Sequence, residues 1–219
     1  MAKRKPTNKY YFSVEGETEQ WYLKWLQDLI NNTEESVCKV SIDCPVKKNP
    51  LKHAKSLTVT REIKVYHFFD YESDEPNHVQ GLQDAMDNMK KAEQIGKQIK
   101  YKSGYSNFTF DLWIILHMAN CNASFTHRKQ YITPINKAFG EKFENMDEYK
   151  HEDNFKRCLS KMNLSNVIDA IERARKIMQK NNENGYRLLE YRGYKYYKEN
   201  PSLSAWEAIE KILSDCKLL

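Results

Sequence analysis

Short apolar segments alternate with longer amphipathic segments through the first half of the chain. The short segments are rich in β-branched and aromatic residues, which is typical of buried strands. The longer segments repeat their apolar side chains along one stripe, which is typical of helices with one buried face. The predicted strands are 9–14, part of 37–44, 64–69 and 98–103, and the predicted helices are 17–31, 51–60 and 78–98. This alternation predicts an α/β fold with a mainly parallel sheet and flanking helices.

Beyond residue 108 the pattern is helical throughout. Residues 106–118 have almost no polar face and predict a buried helix, and Gly104 is expected to end the strand before it. Later apolar stripes predict further amphipathic helices. We therefore expect an α/β core over residues 1–120 and a helical C-terminal region over residues 121–219 packed on that core.

Acidic residues follow the first predicted strand. Glu15 stands at its carboxyl end, Gly16 makes the turn, and Glu17 and Glu19 lie in the first turn of the next helix. Ligands of open α/β sheets bind at the carboxyl ends of strands, and clustered glutamates repel one another unless a cation balances them. The alternative is that Glu17 and Glu19 are ordinary acids at a helix start, where the unpaired N–H groups favour them.

A second acidic cluster follows strand 64–69. Asp70 and Glu72 are two residues apart in extended chain, so both carboxylates project to one side. Oxygen-rich sites of this kind suit Mg²⁺ or Mn²⁺. Alone, an acidic stretch after a strand is usually a solvated turn, but two such clusters at the ends of two apolar strands favour a metal site. The predicted metal ligands are Glu15, Glu19, Asp70, Glu72 and, in reserve, Asp74.

Several short blocks span most of the chain, and they are 14–19 with Tyr22, 69–74, 106–117, 149–150, 170–175 and 200–202. Their order is more specific than any one of them. The blocks in this order resemble the RloB-like family (the second component of AbiL systems), whose members carry a TOPRIM-type metal-dependent nuclease domain.

The chain departs from the family pattern at three positions. Phe108 stands where the family has the proline of Ser-Asn-Pro, Asp111 replaces the usual glutamate before Leu-Trp, and Glu72 replaces the second aspartate of the TOPRIM pair. None of these changes removes a carboxylate. The shorter Asp111 and the longer Glu72 would alter the geometry around a metal.

The resemblance implies a function and partners. It implies a TOPRIM-like fold and a nuclease that uses Mg²⁺ or Mn²⁺ to hydrolyse phosphodiester bonds of DNA or RNA. It also implies a role in phage defence beside an ATPase partner. The sequence contains no P-loop motif, so an ATP-driven step would come from another protein.

The resemblance also assigns roles to single residues. Glu15 would be a metal ligand or general acid/base, and Lys150 would stabilise charge on the phosphate. Asn107, Asp111 and His117 would line the site and orient the ligands from behind. The alternative is that Asp111 and His117 are buried polar groups with structural partners, and that Lys150 is one of many surface lysines.

Composition agrees with a nucleic-acid substrate. The chain has 35 basic and 30 acidic residues, for a net charge of +5, and the acids gather at the proposed site. The five scattered cysteines form no Cys-x-x-Cys pair, which argues against a disulfide framework or zinc ribbon and favours a reducing cytosol. No long apolar segment follows the basic start, so we expect no signal peptide, no membrane span and a cytoplasmic location.

Other interpretations of the same residues remain open. One is a primase-like or topoisomerase-like TOPRIM activity. Another is a catalytically silent TOPRIM module that binds nucleic acid or a partner, and a third is a structural subunit whose acids cap helices. The tract 186–198 interleaves tyrosines and cations, which suits either base stacking or an irregular loop packed on the core. The last helix is able to close the core or to form a dimer seam, which leaves a homo-oligomer open.

Overall fold

The architecture comes from a computed structural model that describes residues 5–219. The first four residues of the predicted core lie outside the described residues. The strands are β1 (Thr7–Val14), β2 (Lys39–Asp43), β3 (Ile63–Tyr71), β4 (Ile99–Asn107), β5 (Leu189–Tyr191) and β6 (Tyr194–Tyr196). The helices are α1 (Glu17–Asn32), α2 (Pro50–Ser56), α3 (Pro76–Ala92), α4 (Asp111–Met118), α5 (Ile132–Phe139), α6 (Met146–Tyr149), α7 (Glu152–Ser160), α8 (Leu164–Glu183) and α9 (Ala205–Asp215).

The central sheet has four parallel strands in the order β2-β1-β3-β4. The predicted α/β class with a mainly parallel sheet is confirmed, and the arrangement is consistent with a TOPRIM-like fold. The chain leaves β1 toward β2 on one side, and it leaves β3 toward β4 on the other. The order therefore reverses between β1 and β3, and a crevice at their carboxyl ends is the expected ligand position in such a sheet.

Two apolar clusters cover the two faces of the sheet. One joins side chains of β1 and β2 to α1, α4, α8 and α9, with Trp113 as its largest fully buried member. The other joins β3 and β4 to α2, α3 and the β5–β6 hairpin. Both faces are covered, which explains why the strands carry near-continuous apolar runs.

The segment directly before α9 packs against β4. Ser106 and Leu203 form an antiparallel bridge, and the N–H of Ser204 donates to the carbonyl of Tyr105 at 2.8 Å. Helix α9 then lies against β4 and α8. The division of the chain at residue 120 into a core and a C-terminal region packed on it stays a prediction.

Three local expectations are wrong. Strand β4 runs through Gly104 to Asn107, so the glycine does not end it, and the following helix begins only at Asp111. The β5–β6 hairpin interrupts the region after residue 108 that was expected to be helical throughout, and its Tyr196 ring packs on other tyrosines of the core, as one alternative for the tract 186–198 held. Cys38 and Cys216 form a disulfide pair with Cα atoms 5.3 Å apart, which the cysteine spacing did not indicate.

In the described part of the chain, each helix is too short or too polar to traverse a lipid bilayer.

Gly104 is required by close packing against its neighbour on β3. It pairs with Phe68, and a Cβ atom at position 104 would lie 2.4 Å from Cδ1 of that ring. The ring is fully buried beside Phe12 and Phe110, so it has little room to move. Overpacking of this kind costs about 1–3 kcal/mol.

We therefore expect Gly104→Ala to lower the free energy of unfolding by about 1–3 kcal/mol in urea. Gly81→Ala is the matched control, because Gly81 lies in α3 with nothing within 4 Å of the added methyl. The control should be neutral or stabilising by up to about 1 kcal/mol. Equal stability of wild type and Gly104→Ala would contradict the close packing of Gly104 on Phe68.

Candidate active site

A cleft of about 310 Å³ opens at the carboxyl ends of β1 and β3, where the strand order reverses. We call it the acidic cleft. Its acidic lining consists of Glu15, Glu17, Glu19, Asp70 and Glu72, and its cationic lining consists of Lys48, Arg128 and Lys150. The structure thus brings together four of the five predicted metal ligands and the predicted lysine.

Glu15 connects the two central strands. It directly follows β1, and its carboxylate accepts a hydrogen bond of 3.2 Å from the backbone N–H of Asp70 in β3. Parallel pairing puts the ends of β1 and β3 side by side, with Val14 opposite Phe68. The position of Glu15 beside Asp70 is therefore a direct consequence of the sheet register.

Glu19 lies in the first turn of α1 and is almost fully buried. Its Oε2 accepts a hydrogen bond of 3.0 Å from the hydroxyl of Thr18. A Cβ atom at Gly16 would come within 2.9 Å of the same Oε2, so the glycine leaves room for the carboxylate to fold back. The unpaired N–H groups of the first helical turn favour a negative charge there.

Burial raises the pKa of all three inner carboxylates, and neighbouring acids add to the effect. The pKa of Glu15 is raised to about 7, mainly by burial and also by the charges of Glu19 and Glu72. The hydrogen bond from the Asp70 N–H and the charge of Lys48 lower this pKa, but by less. Burial, before any neighbouring charge, also raises the pKa of Glu19. The pKa of Asp70 lies well above its usual value because of burial, then Glu19 and Glu15. Without a cation the raised pKa values favour protonated carboxyls, and a bound cation would favour the ionised forms instead, as expected of a cation-binding site.

Lys150 is the inner cation of the cleft. Its Nζ lies 3.0 Å from Oδ2 of Asp111, which is fully buried. The same Oδ2 accepts a hydrogen bond of 2.7 Å from the hydroxyl of Thr109. Burial alone would lower the pKa of Lys150, but the carboxylates of Asp111 and Asp70 raise it overall. Lys150 is therefore a fixed positive charge, and Asp111 is the partner that anchors it.

The two outer acids have different surroundings. Glu72 lies at the rim, with Oε2 3.3 Å from Arg128 and 3.4 Å from His78. Asp74 does not line the cleft, because its carboxylate contacts the hydroxyl of Tyr71 and lies 3.5 Å from Nζ of Lys198. Glu72 remains within reach of a ligand in the cleft, whereas Asp74 would need to leave these partners.

Two of the residues expected behind the metal ligands have other partners. The side-chain amide of Asn107 donates to the carbonyls of Lys198 and Glu199 at 2.8 and 3.1 Å and so holds the loop before α9. His117 lies between the Tyr22 hydroxyl and the Trp113 carbonyl, and burial lowers its pKa to about 4. Neither residue lines the acidic cleft. Of the three, only Asp111 reaches it, through Lys150.

Sequence reasoning missed the outer cations and one buried hydroxyl. Lys48 comes from the loop between β2 and α2, and Arg128 comes from a short 3₁₀ turn before α5. The buried Tyr149 lies beside Asp111, and its burial, followed by that charge, raises its pKa. The basic character of the 45–50 loop was visible in the sequence, but its approach to Glu15 depends on the bridge between Val14 and Val46.

The donor set of the cleft suits a hard divalent cation. Within residues 5–219, no group of three or more histidine, cysteine, aspartate or glutamate side chains is already arranged around one metal position. The carboxylates of Glu15, Glu19 and Asp70 nevertheless share one cleft, and carboxylate oxygens are the ligands that Mg²⁺ and Mn²⁺ prefer. A cation bound in the cleft would offset the repulsion between these carboxylates.

Comparison with known proteins gives one match. The family model described as "RloB-like protein" matches residues 10–212, which is most of the chain. Searches of curated proteins and of solved structures find no significant match to the chain.

Removal of Lys150 should destabilise the fold through Asp111. We expect Lys150→Met to lower the free energy of unfolding by about 1–3 kcal/mol, which is less than for a fully buried pair because water reaches the lysine. The double variant Lys150→Met with Asp111→Asn should recover most of that loss in urea unfolding. Lys137→Met, at an exposed lysine of α5, is the control and should be neutral. A double variant less stable than Lys150→Met would contradict the pairing.

Neutralising Glu15 should change how stability depends on pH in the presence of EDTA. Because the folded pKa of about 7 exceeds the ordinary 4.5, protonated Glu15 favours the folded state, and this stability is lost as pH rises from 4.5 through 7. The unfolding free energy of wild type minus that of Glu15→Gln should therefore fall by about 2–3 kcal/mol between these pH values. A difference that does not change with pH would show that the Glu15 pKa is ordinary.

Proposed function

The chain belongs to the RloB-like family, and on that premise we propose that it is a metal-dependent nuclease of the TOPRIM type that hydrolyses phosphodiester bonds. The observation that carries the proposal is the acidic cleft. It places Glu15, Glu19 and Asp70 together at the ends of two parallel strands, with Lys150 beside them. Excess carboxylate with one fixed cation suits the binding of a divalent ion together with a phosphate.

Mg²⁺ or Mn²⁺ is the proposed cofactor, held by Glu15, Glu19 and Asp70, with Glu72 able to join from the rim. When bound, such an ion would polarise a phosphate oxygen and lower the pKa of a nearby water. Burial and neighbouring acids disfavour the ionised form of these three carboxyl groups. A bound cation would favour that form, which supports the assignment. Asp74 lies outside the cleft and pairs with Lys198, so it is not among the proposed ligands of the ion.

The chain's own groups account for the remaining steps of hydrolysis. In its alternative role as general base rather than metal ligand, the Glu15 carboxylate would accept a proton from the attacking water while the new P–O bond forms. The bond to the leaving oxygen breaks with its electron pair, and that oxygen takes a proton from solvent. Nζ of Lys150, held by Asp111, would stabilise the added negative charge on the phosphate oxygens. Lys48 and Arg128 at the rim would hold the flanking phosphates.

The proposal extends to a biological role only through the family likeness. We propose that the chain is the effector of a phage-defence system and acts with an ATPase partner, since the sequence has no P-loop of its own. Cells that express the wild type with its partner should then resist phage in a plating assay, and cells with Glu15→Gln should not. Equal plating on both would contradict this role and leave the nuclease proposal unaffected.

A cleavage assay tests the proposed nuclease directly. Purified protein would be incubated with plasmid, single-stranded DNA and total tRNA in Mg²⁺, Mn²⁺ or EDTA. We expect cleavage that needs metal and falls at least about a hundredfold in Glu15→Gln and in Asp70→Asn, because each removes a charged group at the reacting centre. Asp28→Asn is the control, since Asp28 is exposed on the same helix as Glu19 and lies outside the cleft.

Thermal unfolding of the same variants separates catalysis from folding. Glu15→Gln and Asp70→Asn remove repelling charges, so both should unfold at the wild-type temperature or above it in EDTA. Cleavage retained by both variants would contradict the proposed site. Nucleic-acid binding without cleavage in any metal would favour the catalytically silent module instead.

A further inference from the structure

A groove lies along the outer edge of β4, away from the acidic cleft. Its volume is about 720 Å³, and we call it the edge groove. Residues 101–103 of β4 form part of its floor, the turn of the β5–β6 hairpin forms one wall, and α9 forms the other. These floor residues lie in the first part of β4, whereas the acidic cleft lies at the carboxyl ends of β1 and β3. The groove therefore takes no part in the proposed chemistry.

The floor of the edge groove is an open strand edge. Alternate residues of an outer strand direct their backbone groups away from the sheet, and in β4 these are Tyr101, Ser103, Tyr105 and Asn107. The N–H of Tyr101 is satisfied by Oε1 of Glu93 at 2.9 Å. Within residues 5–219, no hydrogen bond engages the N–H of Ser103 or the carbonyl of Tyr101. Ser103 Oγ is likewise buried without a partner in this part of the chain.

The chain itself shows how this edge accepts a strand. The N–H of Asn107 donates to the carbonyl of Ser202, and the N–H of Ser204 donates to the carbonyl of Tyr105, which are the two bonds of one antiparallel step. The hydroxyl of Ser204 then reaches the N–H of Tyr105 and the carbonyl of Ser103 before the chain turns into α9. The next antiparallel step would use the N–H of Ser103 and the carbonyl of Tyr101. Those are the two groups left open.

The charge of the edge groove selects the chemistry of an occupant. Three acids, Glu93, Glu207 and Glu210, line it. Two of them are already engaged, because Glu93 pairs with Lys90 and Glu210 pairs with Arg175. The cations that line it are Lys64, Lys90, Lys102, Arg192, Lys195 and Lys211. Three of these are engaged as well, because Lys90 pairs with Glu93, Arg192 with Asp87 and Lys211 with Asp215. Among the described lining residues, the remaining cations still outnumber the remaining acid, which favours a negatively charged ligand.

We propose that the edge groove binds an extended acidic segment of a partner protein, which adds to β4 as an antiparallel strand. Strand addition takes its affinity from backbone bonds and its selectivity from the side chains beside the edge. Three residues of extended chain span about 10 Å, which covers the open groups of β4 from Tyr101 to Ser103. A second copy of this chain is a poorer occupant, because pairing two such edges would bring cations against cations.

The binding test uses a defined probe in EDTA, so that it does not depend on nuclease activity. The probe is a fluorescein-labelled octapeptide in which glutamate and valine alternate. The comparison ligands are the peptide with lysine in place of glutamate and a single-stranded oligothymidylate of equal length. We expect the acidic peptide to bind at least about tenfold more tightly than the basic one in fluorescence anisotropy. Absence of binding, or tighter binding of the oligothymidylate at the same groove, would overturn the proposal.

Two kinds of variant separate strand addition from simple charge attraction. Ser103→Pro removes the N–H that faces the groove, at an edge position where proline is tolerated. The pair Lys102→Glu and Lys195→Glu reverses exposed charges on the floor and hairpin. Each change should weaken peptide binding at least about tenfold, whereas Lys176→Glu, at an exposed lysine of α8, should not. Wild-type affinity in Ser103→Pro would overturn the strand addition.

Hydrogen exchange gives a readout that does not depend on how Ser103→Pro folds. Peptide binding to the wild-type protein should slow exchange of the Ser103 amide and leave the Tyr101 amide unchanged, because Glu93 already protects it. If the Ser103 amide exchanges at the same rate with and without saturating peptide, no strand is added at this edge.

Discussion

The burial of neighbouring carboxylates at the meeting point of β1 and β3 is the constraint on which the proposed chemistry depends. Strand register and the turn at Gly16 bring Glu15, Glu19 and Asp70 into one cleft, where burial raises the pKa of each despite the nearby lysines. Their raised pKa values express a free-energy cost that folding must offset elsewhere. The partial compensations are local: the N–H of Asp70 for Glu15, the Thr18 hydroxyl for Glu19, and the charge of Lys150 for the whole cleft. A divalent cation would remove the remaining cost, which is why the arrangement suits one.

The parts of this site that were predictable from sequence are those fixed by strand ends. A carboxylate directly after an apolar strand lies at the carboxyl edge of a parallel sheet. The positions of Glu15 and Asp70 at this edge could therefore be predicted from the pattern alone. Glu19 followed from its position in the first turn of α1. The resemblance to RloB-like proteins, now supported by a family match over residues 10–212, added Lys150, which no local pattern singles out.

The parts that could not be predicted depend on contacts between distant segments. Asn107 ends a strand as Asp70 nearly does, yet it turns toward the loop before α9, because that loop returns beside β4. His117 is held in the core by Tyr22, a neighbour 95 residues away in sequence. The β5–β6 hairpin could not be predicted because each of its strands has only three residues. An alternation of side chains over three residues cannot be distinguished from a loop of tyrosines and cations. Gly104 was wrongly predicted to end its strand. A glycine is needed there because the Phe68 ring of the neighbouring strand β3 leaves no room for a Cβ atom.

The central claim is that the acidic cleft binds a divalent cation, and calorimetric titration of Mn²⁺ into the metal-free protein tests it most directly. The account predicts saturable binding to the wild-type protein, loss of most of that binding in Asp70→Asn, and unchanged binding in Asp28→Asn, whose side chain lies outside the cleft. Mn²⁺ binding that is absent from the wild type, or equally strong in Asp70→Asn, would contradict it.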